Sequence, residues 1–271
     1  MQSLRKLSIP YIIWMTVLIV FPTIIIIVLS LSTLNIFRLE PFDWTFQNFR
    51  IFTSDVFYIA LRNSIKFALL ATTISFFIGY PVAYLLANST SKNKTLYVTL
   101  LIVPIWSNML LRIIAWEKLF YPNSILNMFG ISLDLIGKDS AILIGMVSMY
   151  LPFMIFPIYT VLEKMDKDLI EASRDLGANM VQSFFKVTLP LSLSGIVSGV
   201  IMTLLPAMTA FALPARLSGG RTLLLGNLIE DYFMKTSNFN LGSLISIVLM
   251  IVMLILYVVI IRFDKEGDTL I

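Results

Sequence analysis

Six long apolar runs, with almost no charge inside them, constrain what this chain can fold into. Each run has about 20 residues, enough for an α-helix to cross the roughly 30 Å hydrocarbon layer of a membrane. Hydrocarbon offers no partner to backbone N–H and C=O groups, and the runs lack the alternation of barrel strands, so each is predicted to be helical. The runs are residues 11–33, 65–87, 96–115, 140–162, 191–214 and 241–262.

The sequence therefore predicts an all-α membrane protein, a polytopic bundle of six transmembrane helices in a single domain covering residues 1–271. Proline recurs inside the runs. Spanning helices tolerate proline when neighbouring helices satisfy the freed carbonyl, but it usually leaves a kink. The prolines concerned are Pro22, Pro81, Pro104, Pro152, Pro157 and Pro206.

Composition excludes several functional classes. Apolar residues make up 58% of the chain and charged residues 13%, against roughly 25% charged residues in soluble domains. Cysteine and histidine are absent, which removes disulfides, thiolate nucleophiles, most transition-metal sites and the commonest general base. The net charge of +4 is scattered over loops, so nucleic-acid binding is not expected. We predict a non-catalytic membrane subunit, in contact with lipid, with no catalytic residue, metal or cofactor.

The distribution of positive charge predicts the orientation. Arg5 and Lys6 precede the first run unopposed, and the short loop 88–95 carries Lys92 and Lys94 without an acid. The total number of lysine and arginine residues is the same on the two sides of the membrane, so it does not determine the orientation. The local pattern favours cytoplasmic termini. The first run is too long for a cleaved signal peptide and is predicted to stay as a helix.

The first outer loop, residues 34–63, is rich in aromatic residues. Aromatic side chains in such a place anchor a protein at the lipid headgroups or contact an external partner, and both interpretations stay open. The residues are Phe42, Trp44, Phe46, Phe49, Phe52, Phe57 and Tyr58.

The stretch between the fourth and fifth runs, residues 163–190, is far longer than a simple connection requires. Asp166 is predicted to cap a short helix beginning at Lys167, and Gly177 to supply the left-handed position that ends it. A second helix is predicted from Asn179, with Gln182 in capping-box spacing, to Leu189. Pro190 is predicted to open the fifth spanning helix, where no N–H is needed.

The first short helix combines apolar side chains with a charged rim, which is the pattern of a helix that docks into a groove of a soluble partner. The alternative is an interfacial helix on lipid, which the acids disfavour beside anionic headgroups. The apolar face has Leu169, Ile170, Ala172, Ser173 and Leu176, and the rim has Glu171, Arg174 and Asp175.

The same segment resembles the EAA loop of the membrane subunits of ATP-binding-cassette importers. Glu171-Ala172-Ser173 is followed after three residues by Gly177 and then by Val187-Thr188-Leu189-Pro190. The spacing matches the family pattern, with Ser173 in place of alanine and Val187 in place of isoleucine. In that family the loop forms the coupling helix, which seats in a cleft of the cytoplasmic ATPase. The resemblance assigns ATPase coupling to Leu169, Glu171, Ala172, Ser173, Arg174 and Gly177.

Further blocks are similar to the B-type permease subunits of spermidine/putrescine importers. The resemblance implies a bacterial inner-membrane location, a sister permease forming a heterodimer, two ATPase subunits and an extracytoplasmic polyamine-binding protein. No phosphate-binding G-x-x-x-x-G-K-[ST] motif occurs, so ATP hydrolysis is expected in a partner chain. The blocks are residues 101–108, 151–154, 163–167 and 205–208, while residues 63–64 and 79–84 resemble the second-helix region of the importer permeases in general.

A polyamine pathway needs aromatic faces, amide oxygens and acids near its mouth. On the predicted topology Trp106 and Asn108 lie near mid-membrane, Tyr150 and Thr209 lie at similar depth, and Glu117 lies near the outer face. Packing between helices explains Trp106 equally well. Glu117, together with Glu230 and Asp231, either attracts cations or meets the binding protein.

Two alternatives stay open. One is an importer for another small solute, such as an amino acid, sulfate or an iron complex. The other is a membrane scaffold or receptor without transport. A proton-coupled transporter is disfavoured because no Asp, Glu or His lies deep inside a run.

Overall fold

The computed structural model describes residues 10–34 and 43–262, and they are almost entirely helical. Within this part of the chain the one β pairing is an isolated bridge between Ser32 and Trp44. Short 3-10 turns occupy Gln47–Thr53 and Ile125–Phe129. The helices are α1 Pro10–Ser30, α2 Asp55–Ala87, α3 Lys94–Trp106, α4 Met109–Phe120, α5 Asp139–Lys164, α6 Asp168–Asp175, α7 Met180–Leu191, α8 Leu193–Met208, α9 Ala212–Leu217, α10 Leu225–Glu230 and α11 Phe239–Ile261.

Four of these helices, α1, α2, α5 and α11, are long and apolar enough to cross a membrane. Two further pairs have the required length only when taken together, and each is sharply bent. The angle is 94° between α3 and α4 and 62° between α7 and α8. The described part of the chain thus holds four straight spans, or six if each bent pair counts as one.

The third apolar run is not one continuous helix, contrary to the prediction. Ser107 and Asn108 have extended backbone between α3 and α4. The Asn108 side chain accepts hydrogen bonds from the N–H groups of Leu110 (2.8 Å) and Leu111 (3.4 Å). It therefore caps a new helix inside an apolar run and satisfies two donors that the break would leave unpaired.

The predicted bounds of the fifth run, 191–214, are also wrong. The bend lies at Ser192, so Pro190 belongs to α7 before the bend and does not open the fifth spanning helix. The helix beyond the bend ends at Met208, and α9 begins only at Ala212. Hydropathy does not detect these breaks because the residues around them are as apolar as the helices.

Three helices, α2, α5 and α8, form the centre of the bundle through close packing at glycines. A Cβ atom at Gly199 of α8 would lie 3.0 Å from the backbone oxygen of Met154 in α5. A Cβ atom at Gly79 of α2 would lie 3.2 Å from side-chain atoms of Met154 and Ile155. Small residues of this kind let helix backbones approach closely in a membrane.

The first helix lies at the side of the bundle and is mostly exposed. Its C-terminal end is held by α11, where the Asn240 amide donates to the carbonyl oxygens of Leu29 (2.9 Å) and Ser32 (2.7 Å). The second helix begins at Asp55, earlier than the predicted residue 65, because the Ser54 hydroxyl caps it by accepting from the Phe57 N–H. The predicted orientation depends on Arg5 and Lys6, which lie outside the described residues, as does Phe42 of the first outer loop.

Candidate functional site

The segment between α5 and α7 has the local structure that its sequence predicts. The Asp166 side chain accepts a hydrogen bond from the Asp168 N–H at 3.0 Å and so caps α6. Gly177 has a φ of +88°, the left-handed conformation that ends the helix. Asn179 and Gln182 form the expected reciprocal capping box, with bonds of 2.8 and 2.9 Å. The second helix runs two residues past the predicted Leu189, to Leu191.

One end of this segment exposes an unusual amount of apolar surface. Leu176 is 89% exposed and Leu169 47% exposed. Met180, Val181 and Phe185 extend the surface onto α7 and are also exposed. Charged and small residues surround it, and those that are exposed include Glu171, Ala172, Arg174, Asp175 and Gly177. Neither Glu171 nor Arg174 forms an ion pair with another described residue, so both are available to a partner.

Ser173 differs from its neighbours because it points toward α7. Its hydroxyl lies 2.8 Å from the hydroxyl of Ser183, which is 2% exposed, and 2.7 Å from the carbonyl oxygen of Ile170. The serine that replaces alanine in the EAA pattern therefore ties α6 to α7 across the Gly177 turn.

An ion pair places this segment and the loop after α2 at the same end of the bundle. Lys94 Nζ lies 3.1 Å from Glu163 Oε1 and 2.9 Å from the carbonyl oxygen of Ala87. The loop after α2, which contributes to the predicted orientation, therefore lies at the same end of the bundle as the segment between α5 and α7.

The five pathway candidates do not converge on one cavity. Trp106 is 87% exposed at the end of α3, where it lines a groove of about 310 Å³ with Thr99, Ile102 and Val103. Thr209 lines a different groove, of about 520 Å³, between α8 and α11. Asn108 is occupied as the cap of α4.

Tyr150 and Thr209 contact the same carbonyl oxygen near the C-terminal end of α8. The Tyr150 hydroxyl, on a side chain that is 6% exposed, donates to the carbonyl oxygen of Pro206 at 3.3 Å. The Thr209 hydroxyl lies 3.1 Å from the same oxygen. The last carbonyl groups of a helix have no helical N–H partner, and these two hydroxyls provide partners for one of them near the C-terminal end of α8.

Two of the three outer acids are already paired with bases. Glu117 Oε2 lies 3.0 Å from Arg216 Nη1, and Asp231 Oδ1 lies 2.5 Å from Lys235 Nζ. The hydrogen bond to Asp231, with the charge of that carboxylate, raises the pKa of Lys235. These acids therefore carry less free negative charge than the sequence suggests.

Arg112 was missed because the search for charge inside the runs considered only acids and histidine. It lies on α4, near Tyr150. Its Nε and Nη1 atoms are buried and have no hydrogen-bond partner among the residues described. A single arginine within an apolar run is the signal that sequence reasoning had available.

A comparison of the sequence with known families and proteins gives a consistent result. Residues 57–263 match the family described as binding-protein-dependent transport system inner membrane component. The spermidine/putrescine transport system permease protein PotB of Haemophilus influenzae is 34% identical over 259 residues, covering 93% of this chain and 91% of that protein. PotB of Escherichia coli is 35% identical over 247 residues, covering 89% and 90%.

Solved structures show the same fold. The structure of a bacterial ABC transporter involved in import of the acidic polysaccharide alginate contains a chain with a TM-score of 0.78 at 15% identity, covering 98% of this chain and 96% of that chain. A complex of an alginate transporter with its pentasaccharide-bound periplasmic protein gives a TM-score of 0.75 at 15% identity, covering 98% and 94%.

Apolar helices of spanning length, the short helix with its glycine turn and the match over most of the sequence agree with one another. The family assignment makes the chain a permease subunit and not an enzyme. This all-α membrane protein belongs to the family of inner-membrane components of binding-protein-dependent transport systems.

Proposed function

We propose that this chain is a permease subunit of an ATP-driven polyamine importer and forms, as a single permease domain, half of the translocation pathway. The observation that carries the proposal is near full-length similarity to spermidine/putrescine permeases of two bacteria. A sister permease of similar fold supplies the other half as a heterodimer.

The movement of the ATPase is transmitted to this chain at α6. Leu169, Glu171, Ala172 and Arg174 contact an ATPase subunit, and Gly177 and Ser173 hold the helix in position for it. The exposed apolar surface around Leu176 supports this role, because a surface of that kind at the end of a membrane protein suits a protein groove better than water. Two copies of the ATPase serve the two permeases.

The orientation follows from the same assignment. The ATPase is cytoplasmic, so the end that carries α6 and the Lys94–Glu163 pair faces the cytoplasm, and both termini lie on that side. The opposite end, with the 3-10 turns and the aromatic residues Trp44 and Phe46, faces an extracytoplasmic polyamine-binding protein.

For the solute, Trp106 provides an open aromatic face at the break of the third span, and a protonated amine is attracted to such a face. Asn108 fixes that break and so positions Trp106. Tyr150 and Thr209 fix the C-terminal end of α8 through the carbonyl oxygen of Pro206. Glu117 contributes negative charge near the outer entrance, reduced by its pairing with Arg216.

The test is uptake of labelled spermidine and putrescine by the complex reconstituted in vesicles, with the binding protein outside and ATP at the ATPase. We expect uptake that requires ATP and is abolished when the ATPase cannot hydrolyse it. A complex that hydrolyses ATP but imports neither polyamine would contradict the proposal, and competition with an amino acid or sulfate would identify the other class of solute.

A further inference from the structure

The bend between α7 and α8 is fixed by a tyrosine from another helix. Ser192, the residue at the bend, has its hydroxyl 2.9 Å from the carbonyl oxygen of Leu189 and 2.9 Å from the hydroxyl of Tyr80 in α2. Tyr80 is 5% exposed and Ser192 is fully buried. A serine hydroxyl has one proton, so when it donates to Leu189 it accepts the proton of Tyr80.

Most of α7 belongs to residues 163–190, here called the coupling segment, and α7 is held against α2 by aromatic packing. The Phe184 ring meets Tyr80 and Tyr84 edge to face, with centroid distances of 5.8 and 5.7 Å. The neighbouring residue Ser183 attaches α7 to α6 through its contact with Ser173. A displacement of α6 therefore reaches the bend through a single short helix.

Beyond the bend, α8 is fixed to α5. A Cβ atom at Gly195 would lie 3.0 Å from the Cα of Ile158 and 3.0 Å from the backbone oxygen of Pro157. With Gly199 equally close to Met154, α8 and α5 pack backbone to backbone. Helix α7 is held by α2 and α8 is held by α5, so a movement of α7 relative to α8 changes the angle at Ser192.

We propose that Tyr80 is a positioning residue for transport, whose hydroxyl sets the angle between α7 and α8 through Ser192. That angle determines how far a movement of the coupling segment is passed to the fifth span. The inference rests on the proposed function in one respect, that α6 receives the movement of an ATPase. A phenylalanine would fill the same space as Tyr80 but would leave the bend without its lateral hydrogen bond.

The chain offers a matched control. Tyr80→Phe removes one oxygen atom from the ring that contacts both Phe184 and Ser192. Tyr84→Phe removes the same atom from a ring that contacts Phe184 equally closely, but the Tyr84 hydroxyl has no hydrogen bond within the described ranges. Ser192→Ala removes the other half of the contact.

The first measurement is independent of transport. The chain has no cysteine, so cysteines introduced at the exposed residues Lys186 and Met202 place two spin labels on either side of the bend without background from this chain. In the assembled complex, we expect the label-to-label distance distribution to broaden in Tyr80→Phe and Ser192→Ala and to stay as in the parent in Tyr84→Phe. An unchanged distribution in Tyr80→Phe would overturn the proposal whatever the solute is.

The second measurement is polyamine uptake per ATP hydrolysed, in complexes whose assembly is verified by co-purification of the ATPase. We expect a loss of about fivefold in Tyr80→Phe and Ser192→Ala, the change that one neutral hydrogen bond makes in an equilibrium. The double variant should lose no more than either single variant. The role of Tyr80 would be refuted if Tyr80→Phe took up as much polyamine per ATP as the parent. It would also be refuted if the loss in the double variant were the product of the losses in the two single variants. Absence of uptake by the parent complex would refute the proposed function instead, and the distance measurement would still decide the role of Tyr80.

Discussion

Glu117 and Arg216 form a 3.0 Å ion pair that joins α4 to α9. Helix α4 is the second half of the broken third span, and α9 follows the end of α8. The pair thus joins the helix that follows the break of the third span to the short helix that follows α8. The Glu117 side chain is 17% exposed and that of Arg216 is 50% exposed, so solvent weakens the attraction and the pair is worth at most about 1 kcal/mol.

The first prediction separates the structural role of Glu117 from attraction of cations. Arg216→Gln releases the carboxylate, whereas Glu117→Gln removes it. We expect the initial rate of labelled spermidine uptake at low salt to rise in the first variant and fall in the second. If the uptake rate changed equally and in the same direction in both variants, Glu117 would act only through its ion pair. It would then have no role in attracting the solute.

Gly177→Val should block ATP-driven uptake. The φ of +88° at this residue costs a branched side chain about 1–2 kcal/mol, so the turn between α6 and α7 changes shape. Gly130→Val is the control, because Gly130 has a φ of +74° with open space around it at the opposite end of the bundle. Normal uptake in Gly177→Val, or equal loss in both variants, would contradict the assigned role of α6.

Glu171→Arg should separate the chain from its ATPase. The side chain is exposed at the charged rim of α6, so reversing its charge repels a basic partner group without disturbing the fold. We expect co-purification of the ATPase to fall severalfold, while Asp134→Arg, at an exposed acid of the opposite end, leaves it unchanged. Full retention of the ATPase in Glu171→Arg would remove this residue from the contact.

Trp106→Ala should lower polyamine uptake with the complex still assembled. Because the side chain is 87% exposed, its removal opens no cavity in this chain, and a loss of uptake reports on solute or sister-subunit contact. Phe77→Ala, which removes an aromatic side chain that is 70% exposed on α2, is the control. Uptake equal to that of the parent in Trp106→Ala would exclude Trp106 from the pathway.

Arg112→Met should stabilise the purified chain. Two nitrogen atoms of Arg112, Nε and Nη1, are buried without a hydrogen bond among described residues, and an unsatisfied buried group costs about 1–3 kcal/mol. A methionine of similar length removes that cost. We expect a higher Tm than in the parent, whereas Arg216→Met, which breaks an ion pair, gives no increase. A lower Tm in Arg112→Met would show that the guanidinium has a partner.

Much of the coupling segment is predictable because its signals are local. The Asp166 cap, the left-handed Gly177 and the Asn179–Gln182 box each depend on residues within three positions of one another, and local hydrogen bonds are the same in any tertiary context. The apolar runs are predictable for a similar reason, since hydropathy is a property of the residues themselves.

The sequence by itself determined that this chain is a helical membrane protein with a helix, a glycine turn and a second helix between its fourth and fifth runs. Only the tertiary structure decided that the third and fifth runs are bent, that Tyr80 bonds to Ser192 and that Glu117 is already paired. Those features depend on contacts between helices distant in sequence, such as residues 80 and 192. Hydropathy does not reveal the bends, because the polar residues at them, Ser107, Asn108 and Ser192, are too few to end an apolar run.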